Sequence, residues 1–414
     1  MTEVSRTRVS RTERPEGGAR HGKLPRTAAW RTLLGIVGGT LAVVLVAGSS
    51  VGAIAVWQLQ SQIETEAIPF DVGGEPPNIA AFEGGFNILV VGSDTRDGQG
   101  NYYGDESSTL NDVNMLLHVA QDQKSAVLVS IPRDMVVSMP ECENGGPASA
   151  TPINTTLYYG GLSCTVATVQ DLTGLEIQFA GMITFNGVVA MSTAVGGVEI
   201  CATEAIYDEY TGLNIPAGAS VLEGGQALAF LRSRHGVGDG SDLGRISSQQ
   251  VFLSSLVRKI KSDDTLNDLG KLYGIAQAAT QNMTLSQGFA RLDTLVSIAL
   301  VLKNVPLENI VMVQYPSRTG GTGVYAGKVQ PITSTASALF DAIRADVPIG
   351  LDANAVGANG GSELNPNAPA PTTPEVDPSA DPSATPTDVP VATTVIPGVK
   401  GQTAAQYTCS VANN

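Results

Sequence analysis

Histidine, cysteine and aromatic residues are scarce in this chain of 414 residues, which has 3 His, 4 Cys and only 5% Phe, Trp and Tyr. The histidines are far apart and there is no CxxC pair, so the sequence does not indicate a zinc site. Basic residues are also scarce: eight of the 24 Lys and Arg lie at or before Arg31, and the other 16 are outnumbered by 36 Asp and Glu. A body this acidic is a poor partner for nucleic acid, which proteins bind by neutralising phosphates. Residues 1–31 lack the length and pattern of a helix-turn-helix, which disfavours a DNA-binding regulator.

The amino-terminal segment predicts a membrane anchor. Residues 1–31 are Arg-rich and poor in large apolar side chains, which is typical of a disordered segment. Residues 32–57 carry no charged side chain and are long enough to cross a hydrocarbon core of about 30 Å as a helix. Trp30 and Trp57 bracket this run, as interfacial aromatic residues do. Because the basic flank is amino-terminal, we expect residues 1–31 in the cytoplasm, a single membrane pass, and the rest of the chain outside the cell.

Residues 85–350 have the pattern of one globular domain. Short apolar runs predict buried strands at 86–92, 113–119, 126–131, 198–200 and 310–313. Helical periodicity predicts helices at 165–172, 185–194, 224–231, 247–260 and 292–302. Strands that alternate with helices over this length favour a single layered α/β/α domain with a central mixed sheet.

The segments on either side of this domain have different compositions. Residues 58–84 contain three prolines and mixed polarity, and we interpret them as a juxtamembrane linker. Residues 351–414 are rich in Pro, Thr and Ala, with few large apolar side chains to offset the entropy of ordering. We therefore expect a disordered extracellular tail, whose last residues, 401–414, could return to the domain through Cys409.

All four cysteines lie on the side predicted to be outside the cell, where disulfides form and persist. Four cysteines permit three pairings. We favour Cys142–Cys164, which would close a loop rich in Gly, Pro, Ser and Thr, and Cys201–Cys409, which would attach the tail to the domain.

The stretch 228–250, LAFLRSRHGVGDGSDLGRISSQQ, concentrates arginine around a glycine-rich loop. Its candidate functional residues are Arg232, Arg234, Asp242, Arg245 and Gln249. A guanidinium group binds phosphate or carboxylate bidentately, so three of them predict a polyanion site. The alternative is an ordinary helix surface on which Asp242 and Glu223 neutralise the arginines. The acidic composition of the rest of the body favours the anion site.

Charged side chains also lie at the ends of the predicted strands. Asp94 and Arg96 follow the first strand, Asp112 begins the second, and Arg133 and Asp134 follow the third. Ligands of α/β sheets bind beyond the carboxyl ends of strands. The oxygens of Asp94 and Asp112 suit Mg²⁺ or Mn²⁺, and arginines suit phosphate, so a metal–pyrophosphate site is chemically sensible. The alternative is a set of strand-end ion pairs, such as Arg133 with Asp134, which are common.

Four segments in this order, NILVVGSDTR, NDVNMLLHV, LVSIPRDM and LRSRHGVGDGSDLGRISSQQ, resemble the LytR–CpsA–Psr family. The resemblance covers about Phe86 to Asp346, and the long GDGSDLGR loop and the cysteines are similar to those of actinobacterial members. It implies a membrane-anchored extracellular phosphotransferase that moves a glycopolymer from a polyprenyl-pyrophosphate carrier onto peptidoglycan. For an actinobacterial member, the implied polymer is arabinogalactan.

The resemblance also implies roles for matching positions. Asp94 and Asp112 match metal-linked aspartates, and the pyrophosphate-contacting positions match Arg133, Arg232, Arg234, Arg245 and Gln249. We add Arg96 to the pyrophosphate set, and we expect Arg133, Asp134, Asp242 and Arg245 to act in catalysis. Two departures are notable: Val113 stands where the family often has a hydroxyl residue, and Ser248 stands where it often has arginine.

In the implied reaction a sugar hydroxyl attacks the phosphorus nearer the glycan and expels polyprenyl phosphate. Either Asp134 or Asp242 could accept the proton of that hydroxyl. An apolar groove for the lipid is expected to include Phe185, Val189, Leu228, Phe230, Phe252, Leu256, Val296 and Leu300. Two other functions stay open: a pyrophosphatase that uses water as the acceptor, and a non-catalytic receptor or regulator of envelope polymer assembly.

Overall fold

The computed structural model describes residues 84–96, 109–145, 150–262, 265, 269–352, 354–357, 360–366 and 393–413. The predicted cytoplasmic segment, the predicted transmembrane helix and residues 58–83 of the predicted linker lie outside these residues. Within the described ranges, no helix is both long enough and apolar enough to cross a bilayer.

The described residues contain nineteen strands and seven α-helices. The strands are β1 Phe86–Ser93, β2 Asn111–Val119, β3 Ala126–Ile131, β4 Val136–Val137, β5 Thr151–Pro152, β6 Phe179–Ile183, β7 Val198–Ala202, β8 Ile206–Asp208, β9 Leu213–Ile215, β10 Gly218–Leu222, β11 Met283–Leu285, β12 Ile310–Gln314, β13 Ser317–Arg318, β14 Gln330–Pro331, β15 Ile349–Gly350, β16 Ser362–Leu364, β17 Thr394–Val395, β18 Gly401–Thr403 and β19 Thr408–Ser410. The helices are α1 Thr156–Thr173, α2 Phe185–Ala194, α3 Gly225–Arg232, α4 Asp242–Lys261, α5 Leu269–Asn282, α6 Leu292–Asn304 and α7 Thr333–Arg344.

A seven-stranded mixed sheet in the order β11-β6-β1-β2-β3-β12-β18 forms the centre of the domain. β1 pairs with β6 and β3 pairs with β12 in parallel, and the other neighbouring strands are antiparallel. The predicted mixed α/β fold with a central mixed sheet is therefore confirmed.

Alternation along the central strands places apolar side chains on both faces of the sheet. Leu89 and Val91 of β1 join a buried cluster that includes α1 and α7 residues such as Val166 and Leu339. Ile88 joins a second cluster, on the other face, with α6 residues such as Ile298 and with α4. The sheet is thus covered by helices on both faces, and its strand ends are left for polar residues.

A smaller four-stranded sheet, in the order β10-β7-β19-β16, lies against α4 and packs around Phe230, Ile200 and Phe252. β19 runs parallel to β7 and antiparallel to β16. The carboxyl-terminal segment is therefore an internal strand of this sheet.

The expectation of a disordered tail from residue 351 is wrong for the part of it that the structure describes. β18 pairs with the edge of β12, with Val311 opposite Thr403, and β19 enters the second sheet. A Cβ added at Gly401 would collide with the carbonyl oxygen of Met312, so this glycine permits the close approach. Composition predicted disorder because the segment offers little apolar surface, whereas its order comes from backbone pairing to strands far away in the sequence. Residues 367–392 of the predicted tail lie outside the described residues.

Both expected disulfides are present, Cys142–Cys164 and Cys201–Cys409. The second joins β7 to β19, in which Cys201 and Cys409 are register partners.

Candidate active site

The arginine-rich loop between α3 and α4 is organised by a carboxylate that was not predicted. Asp208, at the end of β8, is buried, and its carboxylate accepts hydrogen bonds from the Ser233 hydroxyl at 2.7 Å and from the backbone N–H groups of Arg234 and Gly236 at 3.2 Å each. Burial alone would raise the pKa of Asp208, but these bonds and one from Tyr210 outweigh it and lower the pKa. A Cβ added at Gly236 would lie 3.0 Å from the Cβ of Asp208, which is tighter than an ordinary contact, so the absence of a side chain there favours the close approach. The backbone that carries Arg234 is therefore held in one conformation.

The same loop is held on its other side by the chain's carboxyl-terminal segment. Gly238 donates its backbone N–H to the carbonyl of Val411 at 2.9 Å, and Asn413 donates to the carbonyl of Gly236 at 3.0 Å. The Asn413 amide also donates to the carbonyl of His235 at 2.9 Å. The cystine at Cys409 lies two residues before Val411, so the second disulfide attaches this clamp to the domain.

Asp242 joins two arginines that are far apart in the sequence. It lies in the first turn of α4, which Ser241 caps by accepting the N–H of Gly244 at 3.1 Å. Its Oδ1 accepts from the Arg245 guanidinium at 2.5 Å, and its Oδ2 accepts the backbone N–H of Arg133 at 3.1 Å. Asp242 and Arg245 are each only 4% exposed. The pair is thus a buried ion pair that also fixes the end of β3.

Arg133 lies between two carboxylates. Its guanidinium donates to Oδ1 of Asp112, at the start of β2, and its Nε is 3.9 Å from Oδ2 of Asp134. Burial lowers the pKa of Arg133, but Asp112, Asp134 and Asp242 outweigh it, so the net shift is upward and the charge is retained. The backbone carbonyl of Asp112 also accepts from Arg245 at 3.0 Å. The predicted residues from the second strand, the third strand and α4 therefore meet at one place.

Asp134 is surrounded by three cations at distances longer than hydrogen bonds. Arg133 and Arg234 are each 3.9 Å from its Oδ2, and Lys328 is 3.8 Å from its Oδ1. The pKa of Arg234 is lowered by burial and by the like charges of Arg245 and Arg133. Burial is the main cause, so an anion bound at this guanidinium would offset the cost of keeping its charge away from water.

Beside this cluster, an apolar cavity of about 280 Å³ opens between the sheet, α2, α3 and α4. Four residues of the expected lipid groove line it, namely Phe185, Leu228, Phe252 and Leu256. Met115, Met191 and Ile260 extend the apolar wall. Its polar lining residues are Ser93, Asp112, Thr184, Ser192, Arg232, Arg245 and Gln249.

Arg232, Arg245 and Gln249 place guanidinium and amide groups on the wall of this apolar space. Arg232 lies over the ring of Phe185, with its Cζ 4.3 Å from the ring centroid. The Gln249 amide donates to the carbonyl of Leu231 at 2.9 Å, which orients it toward the end of α3. An apolar chain with a negatively charged head group matches this combination of surfaces.

The structure does not bring every expected residue to the cavity. Arg96 is half-buried after the end of β1 and is not among the lining residues. Phe230 is fully buried in the core of the smaller sheet, so its assignment to the groove is wrong. Leu300 is 55% exposed on α6, and its assignment is also wrong. Val189 is not among the lining residues, and the side chain of Val296 lies outside the described residues.

Asp94 and Asp112 lie at the same end of the sheet, one after β1 and one at the start of β2. The backbone N–H of Leu110 donates to Oδ1 of Asp94 at 2.7 Å, and Asp94 donates its own N–H to the Leu110 carbonyl at 3.0 Å. These bonds hold Asp94 against Leu110, which lies two residues before Asp112 in the sequence. In the described ranges, no three His, Cys, Asp or Glu side chains form a metal-binding group. Carboxylates at one end of a sheet are the ligand type that Mg²⁺ prefers, with its remaining ligands taken from water and substrate phosphate.

The two departures from the family pattern have structural surroundings of their own. Val113 lines the cavity, where its apolar side chain extends the apolar wall. Ser248 is fully buried, and its hydroxyl lies 2.7 Å from the hydroxyl of Ser410 and 3.2 Å from the carbonyl of Gly361. The position where the family often has arginine is thus covered by the carboxyl-terminal strands.

Three features of the site had no clear signal in the sequence. Asp208 is one carboxylate among many, and Lys328 is a single lysine in a glycine-rich loop. The clamp by residues 411–413 depends on pairing between segments more than 170 residues apart. Only Cys409 pointed to that contact.

The comparisons with known proteins agree with these observations. The profile of the LytR_cpsA_psr family matches residues 59–340. The chain is 32% identical over 284 residues to the cell wall biosynthesis protein LcpA of Corynebacterium glutamicum, an alignment that covers 61% of this chain and 54% of LcpA. It is 26% identical over 296 residues to the polyisoprenyl-teichoic acid–peptidoglycan teichoic acid transferase TagT of Bacillus subtilis, covering 69% of this chain and 87% of TagT.

A solved structure shares the fold. The LytR-Csp2A-Psr enzyme from Actinomyces oris superposes with a TM-score of 0.51 at 21% identity, covering 67% of this chain and 95% of that one. The chain spans about half the length of LcpA.

Proposed function

Since the chain belongs to the LytR–CpsA–Psr family, we propose that it is an extracellular phosphotransferase that moves a glycopolymer from a polyprenyl-pyrophosphate carrier onto peptidoglycan. One observation carries this proposal: an apolar cavity whose wall bears the guanidinium groups of Arg232 and Arg245 and the amide of Gln249. An apolar cavity suits a polyprenyl chain, and the cationic groups suit its phosphates. TagT, whose name states this type of reaction, is one of the relatives.

The charged residues on the cavity wall and those around Asp134 suit different phosphates of the donor. Arg232, Arg245 and Gln249 line the cavity, so they suit the phosphate attached to the lipid. Arg133 and Arg234 are at the strand-end cluster around Asp134, and they suit the phosphate attached to the glycan. The chemical task is alignment and stabilisation of charge on the transferred phosphoryl group, which guanidinium groups perform without proton transfer.

In the reaction, the oxygen of an acceptor sugar hydroxyl forms a bond to the glycan-side phosphorus. The bond from that phosphorus to the bridging oxygen breaks, and its electron pair leaves with polyprenyl phosphate. The hydroxyl proton goes to a base, and the structure favours Asp134 over Asp242 for that role. Both oxygens of Asp242 accept hydrogen bonds from arginines at 4% exposure, whereas the contacts of Asp134 are all 3.8 to 3.9 Å long.

We propose Asp94 and Asp112 as the ligands for Mg²⁺, or for Mn²⁺ in its place. When bound, the ion would neutralise charge on the phosphate oxygens. Asp112 already contacts Arg133. Its carboxylate would therefore both bind the ion and orient that arginine.

The location and the polymer are part of the same proposal. The basic segment before residues 32–57 supports an amino-terminal anchor in the cell membrane with the domain outside, and two disulfides suit an oxidising compartment. We propose an arabinogalactan-like polymer, which is supported by the resemblance to actinobacterial members and by the 32% sequence identity to the cell wall biosynthesis protein LcpA.

The proposal is tested with the full-length protein in detergent micelles, a lipid-linked glycan donor and a peptidoglycan acceptor. Transfer is measured as glycan attached to peptidoglycan. Phosphate release is measured both with and without the acceptor. Arg245→Lys keeps the charge near Asp242 but loses the bidentate fork, so we expect transfer to fall at least tenfold while the protein stays folded. Arg245→Ala is less informative, because it would leave a buried carboxylate without its partner and cost about 3 to 5 kcal/mol of stability.

Each outcome separates the competing functions. Acceptor-dependent glycan attachment supports the transferase. Rapid phosphate release that ignores the acceptor would instead identify a pyrophosphatase. Tight donor binding with neither product would favour a non-catalytic receptor or regulator.

A further inference from the structure

Lys328 is a cation at the polar cluster that neither the motifs nor the resemblance indicated. It lies on the loop between β13 and β14, and its Nζ is 3.8 Å from Oδ1 of Asp134. Its side chain is 41% exposed, so the ammonium group can contact both Asp134 and a bound ligand.

The backbone holds this lysine in a defined place. Val329 donates its N–H to the carbonyl of Asp134 at 3.1 Å, and Val136 donates to the carbonyl of Val329 at 3.0 Å. Lys328 itself donates to the Tyr325 carbonyl at 3.1 Å, after a left-handed turn at Gly327, where φ is 68°. The lysine is therefore attached to the same segment that carries Arg133 and Asp134.

The contact between Lys328 and Asp134 does not explain the lysine as a structural residue. The 3.8 Å separation is longer than a hydrogen bond, and a partly exposed ion pair contributes about 0 to 1 kcal/mol of stability. Asp134 already has two arginines at 3.9 Å. Lys328 therefore adds a third positive charge beside a carboxylate that two arginines already face, and this charge is available to a bound anion.

The charges at the cluster give the size of that excess. The side chains in contact with each other or with the cavity wall comprise five cations and three carboxylates: Arg133, Arg232, Arg234, Arg245, Lys328, Asp112, Asp134 and Asp242. Before any metal ion is counted, the excess is two positive charges, and Asp94 and Arg96, which have opposite signs, do not change it. Lys328 supplies one of these two charges. A Mg²⁺ ion at Asp94 and Asp112 would increase the excess, so the cluster attracts an anion such as a pyrophosphate with a substituent at each end.

We propose that Lys328 binds the glycan-side phosphate of the pyrophosphate and so distinguishes the diphosphate donor from the monophosphate product. Lys328 is on the Asp134 side of the cluster, whereas Arg232, Arg245 and Gln249 line the lipid cavity. A monophosphate held at the cavity wall therefore leaves Lys328 without a phosphate partner. Loss of this contact after transfer assists release of polyprenyl phosphate. The assignment rests on the proposed function.

The test uses farnesyl diphosphate and farnesyl monophosphate as probes, with the full-length protein in detergent micelles at constant Mg²⁺. The terminal phosphate of farnesyl diphosphate stands in for the glycan-side phosphate. Four variants are compared with the wild type: Lys328→Gln, Lys328→Arg, Arg232→Ala and Lys124→Gln. Lys124 is the matched control, since it is an exposed lysine in the turn between β2 and β3, which is the opposite end of those strands.

Lys328→Gln is expected to weaken diphosphate binding about 3- to 10-fold and to leave monophosphate binding within about twofold. Lys328→Arg restores diphosphate binding because it keeps the charge, and Lys124→Gln changes neither affinity. Arg232→Ala weakens the binding of both probes, because it removes a contact with the phosphate next to the lipid.

An equal effect of Lys328→Gln on both probes, or no effect on either, overturns the assignment. If Arg232→Ala still weakens both probes, the proposed function survives that result. If the wild type binds neither probe, the proposed function and the role of Lys328 both fail. Thermal unfolding of each variant accompanies the titrations, and an unchanged midpoint for Lys328→Gln shows that its effect is on binding.

Discussion

The hydroxyl of Ser248 on α4 and the hydroxyl of Ser410 on β19 lie 2.7 Å apart, and both residues are fully buried. Ser248 stands where the LytR–CpsA–Psr pattern often has arginine. The small side chain lets β16 and β19 approach α4, so closely that a Cβ added at Gly361 would collide with the carbonyl oxygen of Gly244. The departure is therefore linked to the docked carboxyl-terminal segment, because an arginine at this position has no room there.

Substitution of Ser248 tests this link. Ser248→Arg is expected to lower the free energy of unfolding by more than about 3 kcal/mol, because it buries a charge and displaces β19. Ser248→Ala, which loses only the hydroxyl contacts, should cost about 1 kcal/mol. Urea unfolding measures both values, and limited proteolysis reports release of residues 393–413. Equal stability of the arginine variant and the wild type would show that the segment does not depend on a small residue here.

The two disulfides should differ in their contributions to stability. Cys201–Cys409 closes a chain segment with a sequence separation of 208, against 22 for Cys142–Cys164. In the chain-entropy account, replacement of both cysteines of Cys201–Cys409 by Ser costs about 5 kcal/mol, and the same change at Cys142–Cys164 costs about 3 kcal/mol. Denaturant unfolding under non-reducing conditions gives both numbers. The reverse order of effects would contradict the view that Cys201–Cys409 attaches the carboxyl-terminal clamp to the domain.

Asp208 should make stability depend on pH in the acid range. Its pKa is lowered in the folded protein by hydrogen bonds from Ser233, Gly236, Tyr210 and Arg234, which outweigh burial. A lowered pKa stabilises the fold at pH values above the unfolded pKa of about 3.9, and this contribution is lost as pH falls through the lower folded value. Asp208→Asn should therefore be less stable at pH 7 and show a shallower loss of stability below about pH 4. Thermal unfolding across pH 3 to 7 measures this.

The matched control for that experiment is Glu209→Gln, an exposed carboxylate next to Asp208 in sequence. Its acid-range slope should equal that of the wild type. If both variants change the slope alike, the pH dependence comes from general charge and not from the buried carboxylate.

Filling the apolar cavity should separate lipid binding from phosphate binding. Leu256→Trp enlarges a residue of the cavity wall, and we expect at least about tenfold weaker binding of farnesyl diphosphate with unchanged binding of inorganic pyrophosphate. Leu300→Trp is the control, because Leu300 is 55% exposed on α6. Calorimetric titration of both probes measures the difference. Undiminished farnesyl diphosphate binding by Leu256→Trp would show that the lipid binds elsewhere.

Asp134→Asn and Asp242→Asn should fail in different ways. Removal of a base at position 134 is expected to reduce the transfer rate about 10²- to 10⁴-fold, with donor affinity no weaker than that of the wild type and thermal stability close to it. Asp242→Asn weakens the contacts with Arg133 and Arg245, so it should lower stability and donor affinity together. Single-turnover transfer, donor titration and thermal unfolding distinguish the two. A catalytic loss confined to the Asp242 variant would reverse the assignment of the base.

Local sequence patterns predicted four of the seven strands of the central sheet, β1, β2, β3 and β12, because burial on both faces produces continuous apolar runs, whereas β6, β11 and β18 were not predicted. The run at 126–131 coincides with β3, and the helix predicted at 185–194 coincides with α2. The short strands β8, β9 and β10 and the helices α5 and α7 were not predicted. Their residues have weaker periodicity, and their positions depend on packing against elements distant in the sequence.

The sequence by itself determined the kinds of chemistry present: a guanidinium-rich loop, carboxylates at strand ends, apolar runs for a covered sheet, and four cysteines whose pairing was anticipated. These are local properties of composition and spacing, so they are readable without coordinates. Only the tertiary structure decided which charged groups meet, that Asp242 is enclosed by arginines while Asp134 remains accessible, and that Lys328 joins them. It also decided that residues 401–403 and 408–410 belong to the two sheets. Those outcomes depend on backbone pairing and burial between distant segments, which no local pattern of side chains encodes.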